Sequence, residues 1–375
     1  MRFLFLALDV DLSRPAGDAT HVRELALGLV ELGHSVSLVV ERAGVPASEE
    51  TGLRIHTSAR PGTWRMALTA SRIAREERAQ VIYERRPTPK VGFVASRLRH
   101  LPLFVEINGF PDEERRILGT AAPHRFSAFR KATRGFLLRR ATGIVAVSPA
   151  IQAALIGAHG ISEDKVVVIP NGVNTRLFRP MDQEEARRRL GVPAQRFVLG
   201  FAGHLTPWQG LDLMLRAVAA LRHNGVDVMA IVVGDGPDRA RLRSLAESLR
   251  ITEHVAFTGG VPYEDVPGYI ATFDVAFAVR PALLPGSPLK VREYMACARP
   301  VIASAGTAYD FGIVEEAGAG VLVDPSRVEA IEQGVLALMR DLDAARRMGS
   351  AGRAFVERNC TWIATAERVA EVCAC

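Results

Sequence analysis

The feature that most constrains the fold is a regular alternation of short apolar runs with segments of helical periodicity. Apolar runs of strand length occupy residues 2–10, 35–40, 81–83, 103–107, 144–147, 165–169, 197–202, 228–233, 254–258, 275–278, 300–302 and 321–323. Helical spacing of apolar residues predicts helices between them, at 21–32, 211–224, 238–249 and 288–298. Such repeats are typical of parallel sheets covered by helices. The sequence therefore predicts an α/β fold with two Rossmann-like, doubly wound domains that face each other across a cleft.

Length and cysteine usage set further bounds. The 375 residues exceed what one hydrophobic core usually organises, and a charged helix predicted at 182–190 marks the junction, so we expect domains at 1–176 and 177–357. No apolar run approaches the roughly 20 residues of a membrane helix. The four cysteines have neither metal-ligand spacing nor a disulfide framework. We expect a cytoplasmic protein without a metal.

Charge is distributed unevenly between the two halves. Residues 1–179 carry 26 Lys and Arg against 17 Asp and Glu, whereas residues 180–375 carry 21 against 24. A basic half is expected to meet an anionic partner. Since no zinc spacing, basic-aromatic sheet pattern or recognition helix is present, we expect no nucleic acid; a phosphorylated small molecule or a membrane surface fits better.

One basic stretch, 125–136, mixes aromatic and cationic residues. Such a mixture is found in helices that lie on membrane surfaces. A surface helix that packs Phe126 and Phe129 inward is the preferred interpretation, and the interfacial helix stays open as the alternative.

The segment 284–296 is the most informative. Ser287 is predicted to cap a helix with Pro288 at its first position. The free N–H groups of a helix start attract anions, and Lys290 adds a full charge there. Glu293, three residues on, shares a face with Lys290 and is placed to accept hydrogen bonds from a vicinal diol. The pattern favours a nucleotide site, although a solvated Lys290–Glu293 pair remains the simpler alternative.

Other loops carry weaker signals. The small-residue loop 15–21 opens a helix and can approach a phosphate, or it is an ordinary strand-to-helix turn. Gly234 and Gly236 follow a strand, but Arg239 occupies the position of the third glycine of a dinucleotide fingerprint, so nicotinamide cofactors are not indicated. No Ser-His-Asp or Cys-His constellation is recognisable.

Taken together, the motifs of the chain resemble those of the retaining glycosyltransferases of family four, which have the GT-B fold. The resemblance is carried by motifs spread over most of the chain: Gly17…His21 and Leu32-Gly33-His34, Val168-Ile169-Pro170-Asn171-Gly172-Val173-Asn174, Gly200-Phe201-Ala202-Gly203, Val233-Gly234-Asp235-Gly236-Pro237, and Gly286-Ser287-Pro288-Leu289-Lys290 with Glu293-Tyr294-Met295-Ala296. The last motif places it beside a subset with Ser-Pro-Leu-Lys. The resemblance implies an acceptor-binding first domain, a donor-binding second domain and a final segment, 358–375, that crosses back to the first.

The site residues follow from the same resemblance. The implied catalytic residues are Lys290, Asn108 and His204. Donor binding is implied for Glu293, Leu289, Ser287, Gly286, Gln209, Gly203, Gly234, Val261 and Gly17. Acceptor binding is implied for His21, Glu84, Arg85, Glu106, Asn108 and Glu113.

The chain departs from the family pattern at three charged positions. Pro285 replaces the first acid of the Glu-(seven residues)-Glu signature, and His204 and Gln209 replace the Arg and Lys that neutralise the diphosphate. Lys290 is therefore expected to be the principal cation, with Arg280 and His204 as the remaining candidates.

The activity implied is transfer of a hexose from a nucleotide-diphosphate sugar to a hydroxyl of a small molecule, natural product, glycan or lipid-linked acceptor. The anomeric configuration is kept, and no metal or other cofactor is needed. The alternative is a catalytically weak paralogue that binds nucleotide sugar and acts with a partner enzyme. Peripheral contact with an anionic membrane and a homodimer stay open.

Overall fold

The chain forms two compact units. The computed structural model describes residues 1–13, 16–43, 52–58, 62–110, 124–280, 286–306, 309 and 311–374, with the side chains of 124–127 not included. The first unit comprises 1–172, 284–287 and 362–375, and the second comprises 173–283 and 288–361. The C-terminal helix, Trp362–Ala374, thus belongs to the first unit.

The first unit is built on a seven-stranded parallel sheet. Its strands are β1 Arg2–Asp11, β2 Ser35–Arg42, β3 Leu53–Thr57, β4 Val81–Arg85, β5 Leu103–Ile107, β6 Gly143–Ala146 and β7 Val166–Val168. They lie in the order β3-β2-β1-β4-β5-β6-β7. Both faces are covered by helices, which explains why the strands are continuous apolar runs rather than alternating ones.

Helices cover the first sheet in two layers. They are α1 Gly17–Glu31, α2 Thr63–Glu76, α3 Lys90–Arg99, α4 His124–Arg139 and α5 Pro149–His159, followed by the C-terminal helix. Apolar residues of α2 to α5 form one core with the side chains that β1, β4, β5 and β6 direct to that face. On the other face α1 packs on the C-terminal helix, where Gly28 lies so close to Trp362 and Ala366 that a Cβ would be 3.0 Å from each.

The second unit repeats the plan with six parallel strands. They are β8 Phe197–Ala202, β9 Val228–Val233, β10 Val255–Gly259, β11 Val275–Ala278, β12 Val301–Ser304 and β13 Gly320–Val323, in the order β10-β9-β8-β11-β12-β13. Its helices are α6 Gln183–Leu190, α7 Leu211–His223, α8 Arg239–Ser248, α9 Val266–Ala271, α10 Leu289–Ala296, α11 Gly312–Glu316, α12 Val328–Arg340 and α13 Leu342–Asn359. A 3-10 turn, Pro207–Gln209, follows β8.

The predicted α/β fold with two Rossmann-like sheets is confirmed, and two local predictions are wrong. The helix expected at 288 begins at Leu289, with Pro288 at the cap position and no side-chain cap, so Ser287 does not cap it. Phe129, expected to pack inward, is 71% exposed, and the Phe126 side chain lies outside the described residues. No helix in the described ranges combines the length and apolar composition required to cross a bilayer.

Candidate functional site

The two sheets each have one topological switch point, where the strand order reverses. In the first it lies between β1 and β4, and in the second between β8 and β11. In open α/β sheets ligands bind at the carboxyl ends of the strands at such points. Most of the predicted site residues of the described chain follow strands that flank one of these two points.

In the second unit a buried tyrosine fixes α10 against the end of β8. The Tyr294 hydroxyl donates to the Ala202 carbonyl over 3.1 Å and accepts from the Ala202 N–H over 2.8 Å. Both backbone groups of the last strand residue are thereby bonded to the helix. The first turn of α10, with half-buried Leu289 and Lys290, is consequently held beside the turn that follows β8.

Lys290 lies within this turn. Its Nζ donates to Oε1 of Gln209 over 2.7 Å and stands 5.2 Å from the centre of the Phe201 ring. Although the residue is half-buried, desolvation of its ammonium lowers the pKa of Lys290 to about 7; nearby Arg280 adds to the decrease and Glu293 opposes it. A cation held at such electrostatic cost is stabilised by an incoming anion.

Arg280 is a second buried cation at the same strand ends. It stands two residues after the end of β11 and is 4% exposed. Its backbone N–H donates to Oγ of Ser304, its Nε donates to the Trp208 carbonyl over 3.1 Å, and its guanidinium carbon lies 4.0 Å from the Tyr309 ring centre. These contacts fix the guanidinium beside the turn that carries Gln209.

Among the remaining donor residues of the second unit, Gly203 adjoins Lys290 and Gly234 adjoins Gly203. Gly203 has a φ of 151° and its backbone lies under Lys290, where a Cβ would be 3.2 Å from the Lys290 Cε. A Cβ at Gly234 would be 2.1 Å from the Gly203 carbonyl oxygen, so both turns require glycine. His204 is exposed, and Glu293 and Val261 are half-buried. Gly286 and Ser287 are buried and belong to the other unit.

In the first unit three polar side chains surround a buried carboxylate. Glu106, at the end of β5, accepts from the Tyr83 hydroxyl over 2.7 Å and lies 2.8 Å from Nε2 of His21. The Asn108 amide Nδ2 donates to the same oxygen as His21, and Nε of Arg85 is 3.7 Å away. Burial alone would raise the pKa of Glu106, but His21, Arg85 and Asn108 together lower it to about 2.

Glu84 lies apart from this network. Its Oε2 accepts from the Gly92 N–H in the first turn of α3 over 2.7 Å, and Oε1 is buried without a hydrogen-bond partner among the described residues. Burial raises the pKa of Glu84 to about 8, against the Gly92 hydrogen bond and Arg86. Its carboxyl faces α3. Gly17 is exposed at the start of α1, whereas Glu113 and Pro285 lie outside the described residues.

Three residues that hold these sites in place were not predicted in that role from the sequence. They are Tyr294, Trp362, whose ring meets His21 edge-on at 5.1 Å, and Tyr83 as a partner of Glu106. A signal for Tyr83 was present, because strand alternation puts it on the face opposite Ile82, away from the α2–α5 core. The other two depend on long-range packing that no local pattern encodes.

The helical layer of α2, α3 and α4 presents a basic surface. These helices contain eleven Lys and Arg and one acidic residue, Glu76. Large apolar side chains stand exposed among the charges: Trp64 at 62%, Leu68 at 48%, Leu98 at 45%, Phe129 at 71% and Phe136 at 44%. Exposed apolar side chains interleaved with cations are typical of surfaces that bind anionic membranes.

Two family profiles match most of the chain. The profile described as "Glycosyltransferase Family 4" matches residues 15–177, and the one described as "Glycosyl transferases group 1" matches residues 182–355. The two matches adjoin and lie almost wholly in the first and second units respectively.

Curated relatives and solved structures agree with these matches. The chain is 35% identical over 214 residues to a GDP-mannose-dependent alpha-(1-6)-phosphatidylinositol monomannoside mannosyltransferase of Mycolicibacterium smegmatis, covering 54% of this chain and 55% of that protein. It is 33% identical over 235 residues to a D-inositol 3-phosphate glycosyltransferase of Thermomonospora curvata, covering 58% and 53%. The matches thus span about half the length of these relatives. Anabaena HepE in complex with UDP and glucose shares the fold over 100% of this chain and 99% of its own, with a TM-score of 0.80 at 22% identity.

Proposed function

We propose that the chain is a glycosyltransferase of the family-four type that transfers a hexose from a nucleotide-diphosphate sugar to an acceptor hydroxyl with retention of configuration; the two adjoining profile matches support the family. The observation that carries the proposal is the pair of cations in the second unit. Lys290 and Arg280 lie within electrostatic range of each other at the switch point between β8 and β11, and Glu293 follows one helical turn after Lys290.

This pair suits a leaving diphosphate. Departure of the nucleotide places negative charge on the phosphate oxygens, and charge-assisted hydrogen bonds contribute roughly 1.5–3 kcal/mol each. Lys290 is proposed as the principal donor to these oxygens, with Arg280 and exposed His204 beside it. Arg280 and Lys290 thus supply positive charge in a chain that has neutral Gln209 and exposed His204 where the family places Lys and Arg.

The other residues position the substrates. Glu293 is proposed to accept from the ribose hydroxyls, and Gly203 and Gly234 allow the nucleotide to approach the backbone. In the first unit Asn108, at the carboxyl end of β5, is proposed to contact the transferred sugar. The leaving diphosphate itself takes the proton of the acceptor hydroxyl, so catalysis rests on orientation and electrostatics. We propose no metal or organic cofactor.

A donor panel tests the proposal. The purified chain is incubated with UDP- and GDP-hexoses, including UDP-glucose and GDP-mannose, and nucleotide release is measured with K290M and E293Q. We expect turnover with at least one donor and a loss of at least about a hundredfold in kcat/KM for each variant. The controls are R346M and E247Q, at exposed positions of the same unit.

Two results would contradict this assignment. Turnover by K290M and E293Q at the rate of the controls would remove both residues from the site. Nucleotide-sugar binding with no turnover against any acceptor would favour the alternative, a binding paralogue that acts with a partner enzyme.

A second proposal concerns where the acceptor is presented. We propose that the outward surface of α2, α3 and α4 contacts an anionic membrane, which suits a lipid-linked acceptor. Its support is charge complementarity together with exposed Trp64 and Phe129. Each surface cation is expected to contribute about 1 kcal/mol next to anionic lipid.

Vesicle sedimentation tests this surface. We expect binding to vesicles of phosphatidylglycerol that weakens steeply with salt and no binding to phosphatidylcholine alone. W64S and F129S should weaken it, while L342S, an exposed apolar residue of the other unit, should not. Equal binding of all three variants would contradict the proposed surface.

A further inference from the structure

The Glu106 network determines which atom of Asn108 faces outward. Glu106 is 2% exposed, and its two oxygens are surrounded by the Tyr83 hydroxyl, His21 Nε2 and the Asn108 amide. A carboxylate that receives hydrogen bonds from Tyr83 and Asn108 acts as an acceptor only. The Asn108 group that meets it must therefore be the NH2, and the carbonyl oxygen Oδ1 points away from Glu106.

No described residue donates a hydrogen bond to Asn108 Oδ1, and Asn108 is half-buried rather than enclosed. It stands one residue beyond β5, at the carboxyl end of the sheet and two strands from the centre of the switch point. An oriented amide oxygen at this place offers one kind of interaction, acceptance of a hydrogen bond from a ligand O–H or N–H.

We propose that Glu106 is a positioning residue that binds the Asn108 NH2 and thereby presents Asn108 Oδ1 to the substrate, where it accepts a hydrogen bond from a hydroxyl group. Glu106 itself, implied by the family resemblance to bind acceptor, touches no ligand in this assignment. The inference rests on the placement of Asn108 in the substrate site under the proposed function. It adds the identity of the contacting atom and hence the chemistry that it selects.

The environment of Glu106 explains how the orientation is kept. Tyr83 is fully buried, and burial together with the neighbouring carboxylate raises its pKa far above the ordinary value, so it stays a donor. The His21 ring packs in a T-shaped arrangement against the Trp362 ring. Since Tyr83 and His21 are fixed by packing, the Glu106 carboxylate is fixed as well, and rotation of the Asn108 amide would set two acceptor oxygens against each other.

Amide NMR of the ligand-free protein tests the orientation without any substrate. The chain has five asparagines, Asn108, Asn171, Asn174, Asn224 and Asn359, so asparagine-labelled protein gives few side-chain signals, and N108A assigns the relevant one. We expect E106Q to move the Asn108 Nδ2 signal. E84Q, the same substitution at the other buried glutamate, should leave it in place, since Glu84 bonds Gly92 instead. If E106Q fails to fold, E106D must move the signal.

Kinetics supply a second readout on the donor that is turned over. E106Q and N108A should each lower kcat/KM by about tenfold or more, and the double variant should be no worse than the poorer single one, because both remove one contact. Nucleotide binding in the other unit should stay unchanged, which shows that the fold persists. A purely structural role of Glu106 would instead lower the folded fraction of E106Q.

The outcomes separate the two proposals. An Asn108 signal that is unchanged in E106Q, or additive losses in the double variant, would overturn the positioning role even if the enzyme is active. Absence of transfer with every donor would overturn the proposed function, whereas the NMR comparison would still decide whether Glu106 orients Asn108.

Discussion

Under the proposed function, Lys290 is predicted to couple nucleotide binding to proton uptake, and the size of the effect follows from its surroundings. The pKa of Lys290 is lowered from 10.5 to about 7 in the free protein, first by burial and then by Arg280. A bound diphosphate brings negative charge to its Nζ and stabilises the protonated form. Binding at alkaline pH must therefore draw a proton from solution.

The effect depends on the fraction of Lys290 that is charged at each pH. Lys290 is largely charged at pH 6, whereas about nine in ten molecules are neutral at pH 8. Binding at pH 8 should take up close to one proton, and the affinity should be about tenfold weaker than at pH 6, or about 1.4 kcal/mol. Affinity thus falls as pH rises through about 7.

Calorimetry in buffers of different ionisation enthalpy measures the protons directly. UDP-glucose and GDP-mannose are suitable ligands because their diphosphates do not titrate between pH 6 and 8. K290R, whose guanidinium stays charged in this range, should bind without pH dependence, and K290M should bind weakly at both values. H204Q serves as a control at the exposed position that follows β8.

Two results would refute the reasoning. The first is binding at pH 8 with proton uptake near zero. The second is a K290R variant with the same pH dependence as the original chain, since the titrating group would then lie elsewhere.

Two predictions concern stability. The pKa of Glu84 is raised to about 8 in the folded chain, so its contribution to the free energy of unfolding is fully present below its ordinary pKa of 4.5 and is lost as pH rises through 8. In urea unfolding, E84Q should therefore gain stability relative to the original chain between pH 5 and pH 8, by up to about 1.4 kcal/mol per pH unit. A stability difference that does not change with pH would contradict the assignment. G200A should lower the thermal midpoint by several degrees, because its Cβ would lie 2.0–2.2 Å from atoms of the Phe273 ring, whereas G312A meets nothing within 4 Å and should be neutral in the same melt.

The strands were predictable because parallel sheets bury both faces. Runs of apolar residues therefore mark them directly, and the expected bounds 103–107, 197–202, 228–233 and 275–278 are those of β5, β8, β9 and β11. The short strand β3 was missed, since Arg54 and His56 interrupt its apolar pattern. Pairing to β2 alone holds it in the sheet, and such edge pairing depends on tertiary context.

Helix starts were less predictable than strands. Helix α1 begins at Gly17, four residues before the expected start at residue 21. This start was not predicted because Ala16, at the cap position, makes no side-chain hydrogen bond that a sequence pattern would reveal. At α10 the Ser-Pro pair resembles a cap followed by a first helical position, yet Pro288 itself precedes the helix. Tertiary hydrogen bonds from Tyr294 fix this helix and outweigh the local cap signal.

The two glutamates at the first switch point show what strand alternation can decide. Tyr83 and Glu84 are consecutive and must point to opposite faces of the sheet. Glu84 shares the face of Ile82 and lies under α3, whereas Tyr83 shares the face that meets α1 and bonds Glu106. The pattern alone separates the two carboxylates. The pattern does not show which carboxylate is proposed to orient a ligand-facing side chain. That depends on Asn108 and His21, which come close to Glu106 only in the folded unit.

Local charge at each switch point runs opposite to the charge of its half of the chain. Residues 1–179 carry a positive net charge, yet the strand ends of the first sheet bury the Glu106 carboxylate; residues 180–375 are net negative, yet those of the second hold Arg280 and Lys290. A buried charge interacts across a few ångströms at low dielectric, while net charge is dominated by exposed, screened groups. The basic surface of α2 to α4 therefore does not bear on the diphosphate, whose proposed site lies in the half that composition marks as acidic.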